Sequence, residues 1–600
     1  MDALYCAPSM QPSYDVVICG AGLAGLTLAR QLRRELPDPR VLLLERTARP
    51  LPEASHKVGE SSVELGSQYL ERLGLRDYLR SRHIVKHGLR FYPGGGHRPV
   101  EERLEIGPAQ EPIVPSYQLD RGRFENDLRA MVVDEDGVDL REGATVRQVT
   151  LGQGTEPHVV TFEHEGGREE ATCRWVVDAT GRNALLRKRM KLTRGTRHAA
   201  SAGWFRVAGR IDITALASPE ARAWHEVAWA PNRWRSTNHL MGPGYWAWII
   251  PLSSGNTSVG VVIHEEQHDF DDVRTLDRVR AFLEAHEPVL ARAIEGREVL
   301  DFRCLHGYSH NVSRGWSADR WALVGEAGAF VDPLYSPGTD YIALANSFTG
   351  ELMRVDREGE DLETRTRELN IRYRALVNGN VDLFRDAGPV YGHPRAMLAK
   401  IYWDNFSYWS FPCQYYVQGL YRLGNRELPG IDMLGARFVE LSSYVQALMR
   451  AWAELAPEEP EPGFAGMPSF PSVLIDAHMA LQERMGPERT VAYIGERAQE
   501  GARIVAELLV RVLYDVGDER ARELAERARV ASWNLAVSPA RLEAEHASGL
   551  ARRHALSPIA RDVERSLGRL RRHTDHDVVR ALVAPLLQGD ERTAAAPAGA

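Results

Sequence analysis

Cysteine is scarce and dispersed. Cys6, Cys19, Cys173, Cys304 and Cys413 are odd in number and form no CxxC pair, which argues against a disulfide framework or a zinc site and leaves them as packing residues. A basic surplus is missing too: 74 Lys and Arg face 82 Asp and Glu, a net charge of -8, so no nucleic-acid partner is expected. No apolar run approaches the roughly 18 residues of a membrane span. The opening MDALYCAPSMQPSY lacks a basic stretch followed by an apolar one, and the expectation is a cytoplasmic protein without a membrane span. No internal repeat is visible. What is present is an ordinary globular composition, 44% hydrophobic over 600 residues, more than one core usually supports, so two or more structural units are expected.

The apolar run YDVVIC, residues 14–19, leads directly into Gly20-Ala-Gly22-Leu-Ala-Gly25 and a helical pattern, and a second run, VLLLER, carries Glu45 near its end and Arg46 after it. This is a strand, turn, helix, strand unit with a dinucleotide fingerprint. The first glycine permits the tight turn, the second a close approach of the backbone to a pyrophosphate, the third close packing of helix on strand. Glu45, 20 residues after Gly25, can accept from a ribose hydroxyl, which suits FAD or NAD and disfavours the 2′-phosphate of NADP. The run RWVVDATGRN ends in Asp178-Ala-Thr-Gly181, a strand terminus placed against a cofactor.

Residues 324–348, VGEAGAFVDPLYSPGTDYIALANSF, are the centre of the chain. They read as a strand, a loop broken by Pro333, Pro337 and Gly338, and a helix start for which Ser336 and Thr339 are cap-type residues. Free N–H groups at such a helix end hold anions. Trp246 and Trp248 stand two apart on a strand and face one side; the ordinary reading is a buried aromatic pair. Lys86, read by itself, is a solvated surface lysine. The aromatic helices near residues 391–421 carry more rings than one packed face can bury and are expected to cover the mouth of a substrate chamber. Residues 456–472 are Pro-rich and acidic, a linker or loop without regular structure, residues 473–590 are helical, and residues 591–600 form a disordered tail.

Four matches in order, GAGLAG, KVGESS, Trp246-x-Trp248-x-Ile250-Pro251 and Phe330-x-x-Pro333-x-x-Ser336-x-Gly338, resemble the flavin-dependent halogenases, relatives of the FAD aromatic hydroxylases. The resemblance spans about residues 12–355. It implies an α/β chain with a Rossmann-like FAD-binding fold, an inserted β-sheet substrate layer at about 199–318, and a C-terminal α-helical region of which 356–455 covers the substrate entrance. It further implies that FAD is held by Gly20, Gly22, Gly25, Glu45, Arg46, Arg121, Asp178, Gly325, Glu326 and Gly338. Halide would sit at Pro337, Gly338 and Thr339, with Lys86, Tyr335 and Ser336 as catalytic residues and Trp246 and Trp248 on the substrate side. Reduced flavin, oxygen and chloride or bromide would make hypohalous acid, which Lys86 directs to an electron-rich carbon as an ammonium or as a chloramine. Tyr335 and Pro337 replace the Glu and Thr of tryptophan-type members, which favours a phenolic, pyrrolic or activated-acyl substrate, small or carrier-bound. With no second GxGxxG, FADH2 is expected from a separate flavin reductase. The other readings are an FAD monooxygenase that does not use halide and a flavin-binding scaffold without turnover. No metal is expected.

Overall fold

The computed structural model describes residues 13–52, 59–456, 463–468 and 472–587. The expected tail at 591–600 and most of the Pro-rich stretch lie outside these residues. One sheet has the strand order Trp316–Ser317, Trp321–Leu323, Gly167–Asp178, Tyr14–Cys19, Val41–Glu45, Asp139–Glu142. Its centre is parallel, with Val17 opposite Val176 on one side and Leu42 on the other. Strands covered on both faces need continuous apolar runs, which YDVVIC and VLLLE supply. The helix Leu23–Glu35 covers this sheet and is tied to the helix Gly338–Glu358 by Asn346, whose Nδ2 donates to Ala24 O, Thr27 Oγ1 and Tyr69 Oη.

The second sheet runs Val299–Leu305, Ala200–Val207, Thr257–His264, Tyr245–Pro251, Thr237–Gly242, Leu89–Tyr92, Leu104–Gly107, Gly463–Gly466. It is therefore not confined to residues 199–318. Two strands come from the segment after Lys86, and Trp316–Ser317 belongs to the other sheet. Gly463–Gly466, expected to be irregular, pairs in parallel with Leu104–Gly107. An edge strand offers unpaired N–H and C=O groups to any chain passing it, and Phe464 stacks on Trp229 with centroids 3.9 Å apart, which fixes the segment there.

The C-terminal helices are not a separate body. One contiguous apolar core extends from Val16 through the helices to Leu586. The rings of the aromatic helix Pro394–Ser410 divide: Trp403 and Phe406 pack on the helices that follow, while Tyr408 and Trp409 line a cavity. Trp403 Nε1 donates to Ser442 Oγ on Ile431–Leu455 at 3.0 Å. A Cβ on Gly501, in Pro487–Asp515, would stand 3.1 Å from the Phe406 ring and 3.4 Å from that of Trp403. Glycine permits this close approach, and the indole N–H finds its partner only because Ser442 faces it.

Candidate functional site

At the carboxyl ends of the parallel strands the glycine turn has the geometry a pyrophosphate requires. Gly20 has φ +107°, and a Cβ there would stand 2.5 Å from Ala179 O; one on Gly25 would stand 1.9 Å from Gly20 O. A Cβ on Gly22 meets nothing within 4 Å, so that face of the turn is open. The helix Leu23–Glu35 has Gly22 as its N-cap, no capping side chain and no acid in its first turn, which leaves its N–H groups for an anion. Glu45 stands at the neighbouring strand end, where its Oε2 accepts from Ala21 N at 2.8 Å. The residues present fit a dinucleotide.

The other expected cofactor residues have varied placements. Arg46 is exposed. Arg121 Nη1 donates to Gly59 O at 3.2 Å, and its Nη2 donates to Glu125 at 2.6 Å. Asp178 is buried, with its oxygens accepting from Thr180 N, Thr180 Oγ1 and Leu186 N. It therefore shapes the turn at Ala179. Gly325, φ +58°, begins a short turn on which Glu326 pairs with Arg182 at 3.1 Å.

The loop after that turn ends in a helix whose N-cap is Pro337, with no side-chain cap. Ser336 and Thr339 do not cap it, contrary to their residue types. Ser336 has φ +59° and donates its N–H to Pro333 O, and the Thr339 side chain packs against Gly66. The first-turn N–H groups of a 21-residue helix thus remain available at Gly338, where a Cβ would meet nothing within 4 Å.

Two cavities flank this helix end. The smaller, of about 40 Å³, suits one small ion or water and is lined by Ser61, Trp246, Trp248, Pro333, Ser336 and Gly338. The larger, of 440 Å³, is lined by Lys86, Tyr335, Pro337, Asp340, Tyr408 and Trp409 among others. Trp246 and Trp248, expected on the substrate side, line the smaller chamber and not the larger cavity, their centroids 5.7 Å apart. The strand Tyr245–Pro251 turns that face toward the loop.

Lys86 stands in the wall between the two. It is fully buried, so the surface reading fails. Pairing of Ile84–Val85 with Tyr117–Gln118 draws it inward, and its N–H donates to Ser116 O. Its Nζ donates to Ser61 Oγ at 2.9 Å and Ser62 O at 2.8 Å. Ser61 Oγ is also 2.8 Å from Thr237 Oγ1 on the smaller chamber. Burial pulls the Lys86 ammonium down to about 7, against the opposing pull of Glu64 and Asp340. Burial also pushes the Asp340 carboxyl up to about 7, opposed by hydrogen bonds from Tyr408 and Gly66 and by Lys86. Tyr335 lines the cavity, but its hydroxyl is held well above its usual range by burial and by Asp404, so it is a neutral donor.

Sequence reasoning passed over Glu64, Asp340, Asp404 and His478, all on the cavity wall. Glu64 and Asp340 fall in first helical turns, where acids are ordinary complements to the dipole; no signal marked them as facing Lys86.

A family model described as FAD binding domain matches residues 13–339. Flavin-dependent halogenase chlA of Dictyostelium discoideum is 26% identical over 445 residues, covering 68% of this chain and 72% of that protein. The 1H-pyrrole-2-carbonyl-[peptidyl-carrier protein] brominase of Pseudoalteromonas luteoviolacea is 24% identical over 380 residues, covering 62% and 84%. The crystal structure of halogenase PltM in complex with phloroglucinol and FAD shares the fold, with a TM-score of 0.59 at 16% identity over 82% of this chain and 96% of that one. No described helix is long and apolar enough to cross a membrane. With the fingerprint turn, the parallel sheet and a family match over more than half of its length, the chain belongs to the FAD binding domain family and is similar to flavin-dependent halogenases.

Proposed function

We propose that the protein is a flavin-dependent halogenase that uses FADH2 from a separate flavin reductase, oxygen and chloride or bromide to halogenate a phenol, pyrrole or activated acyl group, free or carrier-bound. The observation that carries this reading is the position of Lys86, buried between a chamber at a helix N-terminus and a cavity of 440 Å³. The similarity to the chlA halogenase and to the pyrrole-carrier brominase supports it.

Bound FAD, once reduced, supplies with oxygen the two-electron oxidising power that converts halide to hypohalous acid. Gly20, Gly22 and Gly25 would hold its pyrophosphate and Glu45 its ribose. The helix N–H groups at Gly338 and Thr339 draw the halide, while Pro337 has no N–H to give and closes the loop on the cavity side. The left-handed backbone of Ser336 turns the loop so that Ser336 and Gly338 border the smaller chamber.

As an ammonium, Lys86 has three N–H groups, two of them donated to Ser61 Oγ and Ser62 O. The third donates to the oxygen of hypohalous acid and makes the halogen more electrophilic. The ring carbon then bonds to halogen as the oxygen–halogen bond breaks, the ring loses its proton, and the other product is water. The wall that holds Lys86 keeps the organic substrate away from the cofactor side.

The test is mass spectrometry of a phenol, pyrrole and indole panel after incubation with FAD, a reductase, oxygen and either halide. Halogenated product is expected. Oxygenated product without halogen would overturn the reading in favour of a hydroxylase, and so would rapid flavin reduction by NADPH with no reductase added.

A further inference from the structure

The larger cavity carries a second polar group that the mechanism above does not use. Glu64 begins the helix Glu64–Leu70, and His478 lies on the helix Val473–Met479, far along the chain. Both line the cavity. His478 Nε2 stands 3.4 Å from Glu64 Oε1, yet neither ring nitrogen has a hydrogen-bond partner although His478 is only 3% exposed. The ring is held flat against Trp409, centroids 4.4 Å apart and planes 5° from parallel. A buried imidazole whose Nδ1 is unmet and whose Nε2 has only a long contact to a carboxylate is costly unless a guest meets one of the two nitrogens.

The charges around this pair narrow the guest. Among the described residues, the charged side chains on the cavity wall are Glu64, Glu111, Asp340 and Asp404 on the acidic side and Lys86 on the basic side. Asp404 is bonded to Lys400, and Glu111 to Arg235. Asp340 accepts from Gly66 N and from the Tyr408 hydroxyl, so Glu64 is left to face the guest. Lys86 already donates to Ser61 and Ser62 and stands near both of those acids. A carboxylate brought into this cavity would meet Glu64, and the one cation among the described wall residues, Lys86, is already bonded to Ser61 and Ser62 and shared with two acids; burying a poorly paired charge is expensive. A hydroxyl both donates and accepts, so it can give its proton to a Glu64 oxygen and receive one from His478.

We infer that Glu64 and His478 form a hydroxyl-recognition site, and that the cavity takes an uncharged phenol in preference to a carboxylic acid. The inference rests on the halogenase reading for the fate of the phenol; recognition itself needs no turnover. It also gives the C-terminal helices a function, since His478 and Trp409 place the guest that Lys86 then serves.

Isothermal titration of the oxidised FAD-loaded protein at pH 8, with no halide or reductant, compares three probes. They are 3-(4-hydroxyphenyl)propanamide, its O-methyl ether and 3-(4-hydroxyphenyl)propanoate. The ether and the propanoate are each expected to bind at least about tenfold more weakly than the phenol amide. Glu64→Gln should close the gap for the propanoate, and His478→Phe, which keeps the stack on Trp409, should narrow the gap between phenol and ether. The inference is overturned if the ether or the propanoate binds the parent as tightly as the phenol amide, as a plain Glu64–His478 ion pair would allow. It is also overturned if no probe binds below about 10 mM. The comparison on the parent protein needs no variant to fold. Absent halogenation with both gaps intact leaves the recognition site standing and removes the halogenase, whereas equal affinities with halogenation intact remove the site alone.

Discussion

The Tyr335 hydroxyl donates to Asp404 Oδ2 at 2.8 Å, joining the 333–338 loop to the aromatic helix Pro394–Ser410. Asp404 also accepts from Lys400 at 2.8 Å and from Gln446 at 2.9 Å, so the anchor is a fully bonded buried group. Tyr335→Phe removes one hydrogen bond and leaves the ion pair, and should cost about 1 kcal/mol. Lys400→Met leaves the Asp404 carboxylate buried without its cation and should cost about 3–5 kcal/mol. Urea unfolding midpoints measure both. Equal losses would show that Asp404 is not held as an ion.

Gly22 and Gly25 respond to the same substitution for different reasons. Gly25→Ala places a methyl 1.9 Å from Gly20 O and should prevent folding of the turn, while Gly22→Ala meets no protein atom within 4 Å. The second variant should therefore keep the parent melting temperature without cofactor and still bind FAD at least about tenfold more weakly, because its methyl occupies the pyrophosphate face. Unchanged FAD affinity in Gly22→Ala would remove the pyrophosphate from this turn.

Lys86 and Asp340 make opposite contributions to stability as pH changes. With its folded pKa raised to about 7, Asp340 binds more protons folded than unfolded between its ordinary value and 7, so its contribution falls as pH rises through that window. The lowered pKa of Lys86, about 7, means that the unfolded chain binds more protons between 7 and the usual lysine range, so its contribution improves as pH rises there. Asp340→Asn should thus gain melting temperature relative to the parent at pH 8 more than at pH 5. The same variant removes a negative charge that supports the Lys86 ammonium. Halogenation, expected to decline in the parent as Lys86 deprotonates through about 7, should lose its upper limb at lower pH in the variant. A midpoint that stays in place would show that Asp340 does not act on Lys86.

Ser407 and Ser410 are three apart on one helix and have different surroundings. Ser407 lines the cavity, whereas Ser410 is fully buried and does not. Ser407→Trp should fold, bind FAD as the parent does and change product yield or regiochemistry. Ser410→Trp overfills a packed interior and should cost about 1–3 kcal/mol or more. Product profiles by mass spectrometry and melting temperatures separate the two, and an unchanged profile in Ser407→Trp would place the substrate elsewhere.

The cofactor half was legible because its signals are local. A fingerprint turn and an acid at fixed spacing are read within one strand, helix, strand unit, and Gly20, Gly22, Gly25 and Glu45 stand together at one sheet end. The substrate half was not, because it is made of long-range contacts. Lys86 looks like any surface lysine until the pairing of Ile84–Val85 buries it, and His478 reaches Glu64 only through the packing of the C-terminal helices. The aromatic run from Tyr402 to Trp409 showed that several surfaces had to be covered but not which ring met which surface. Trp246 and Trp248 were assigned to one side by period, and the chamber they face depends on how the second sheet meets the 333–338 loop. Gly463–Gly466 was hidden by its small residues and proline-rich flanks, which carry no strand pattern.

The central claim is that Lys86 acts on the halogenating species from its place between the two cavities. Lys86→Met keeps the apolar stem and removes the ammonium, so the wall stays filled and the fold is retained. The decisive measurement is halogenated product per FADH2 consumed, read by mass spectrometry beside FAD affinity for the same protein. The account predicts FAD affinity within about twofold of the parent and product down by at least about a hundredfold, a loss of ~2.7 kcal/mol or more in barrier lowering. Product at the parent level, with the variant folded and FAD bound, would contradict it.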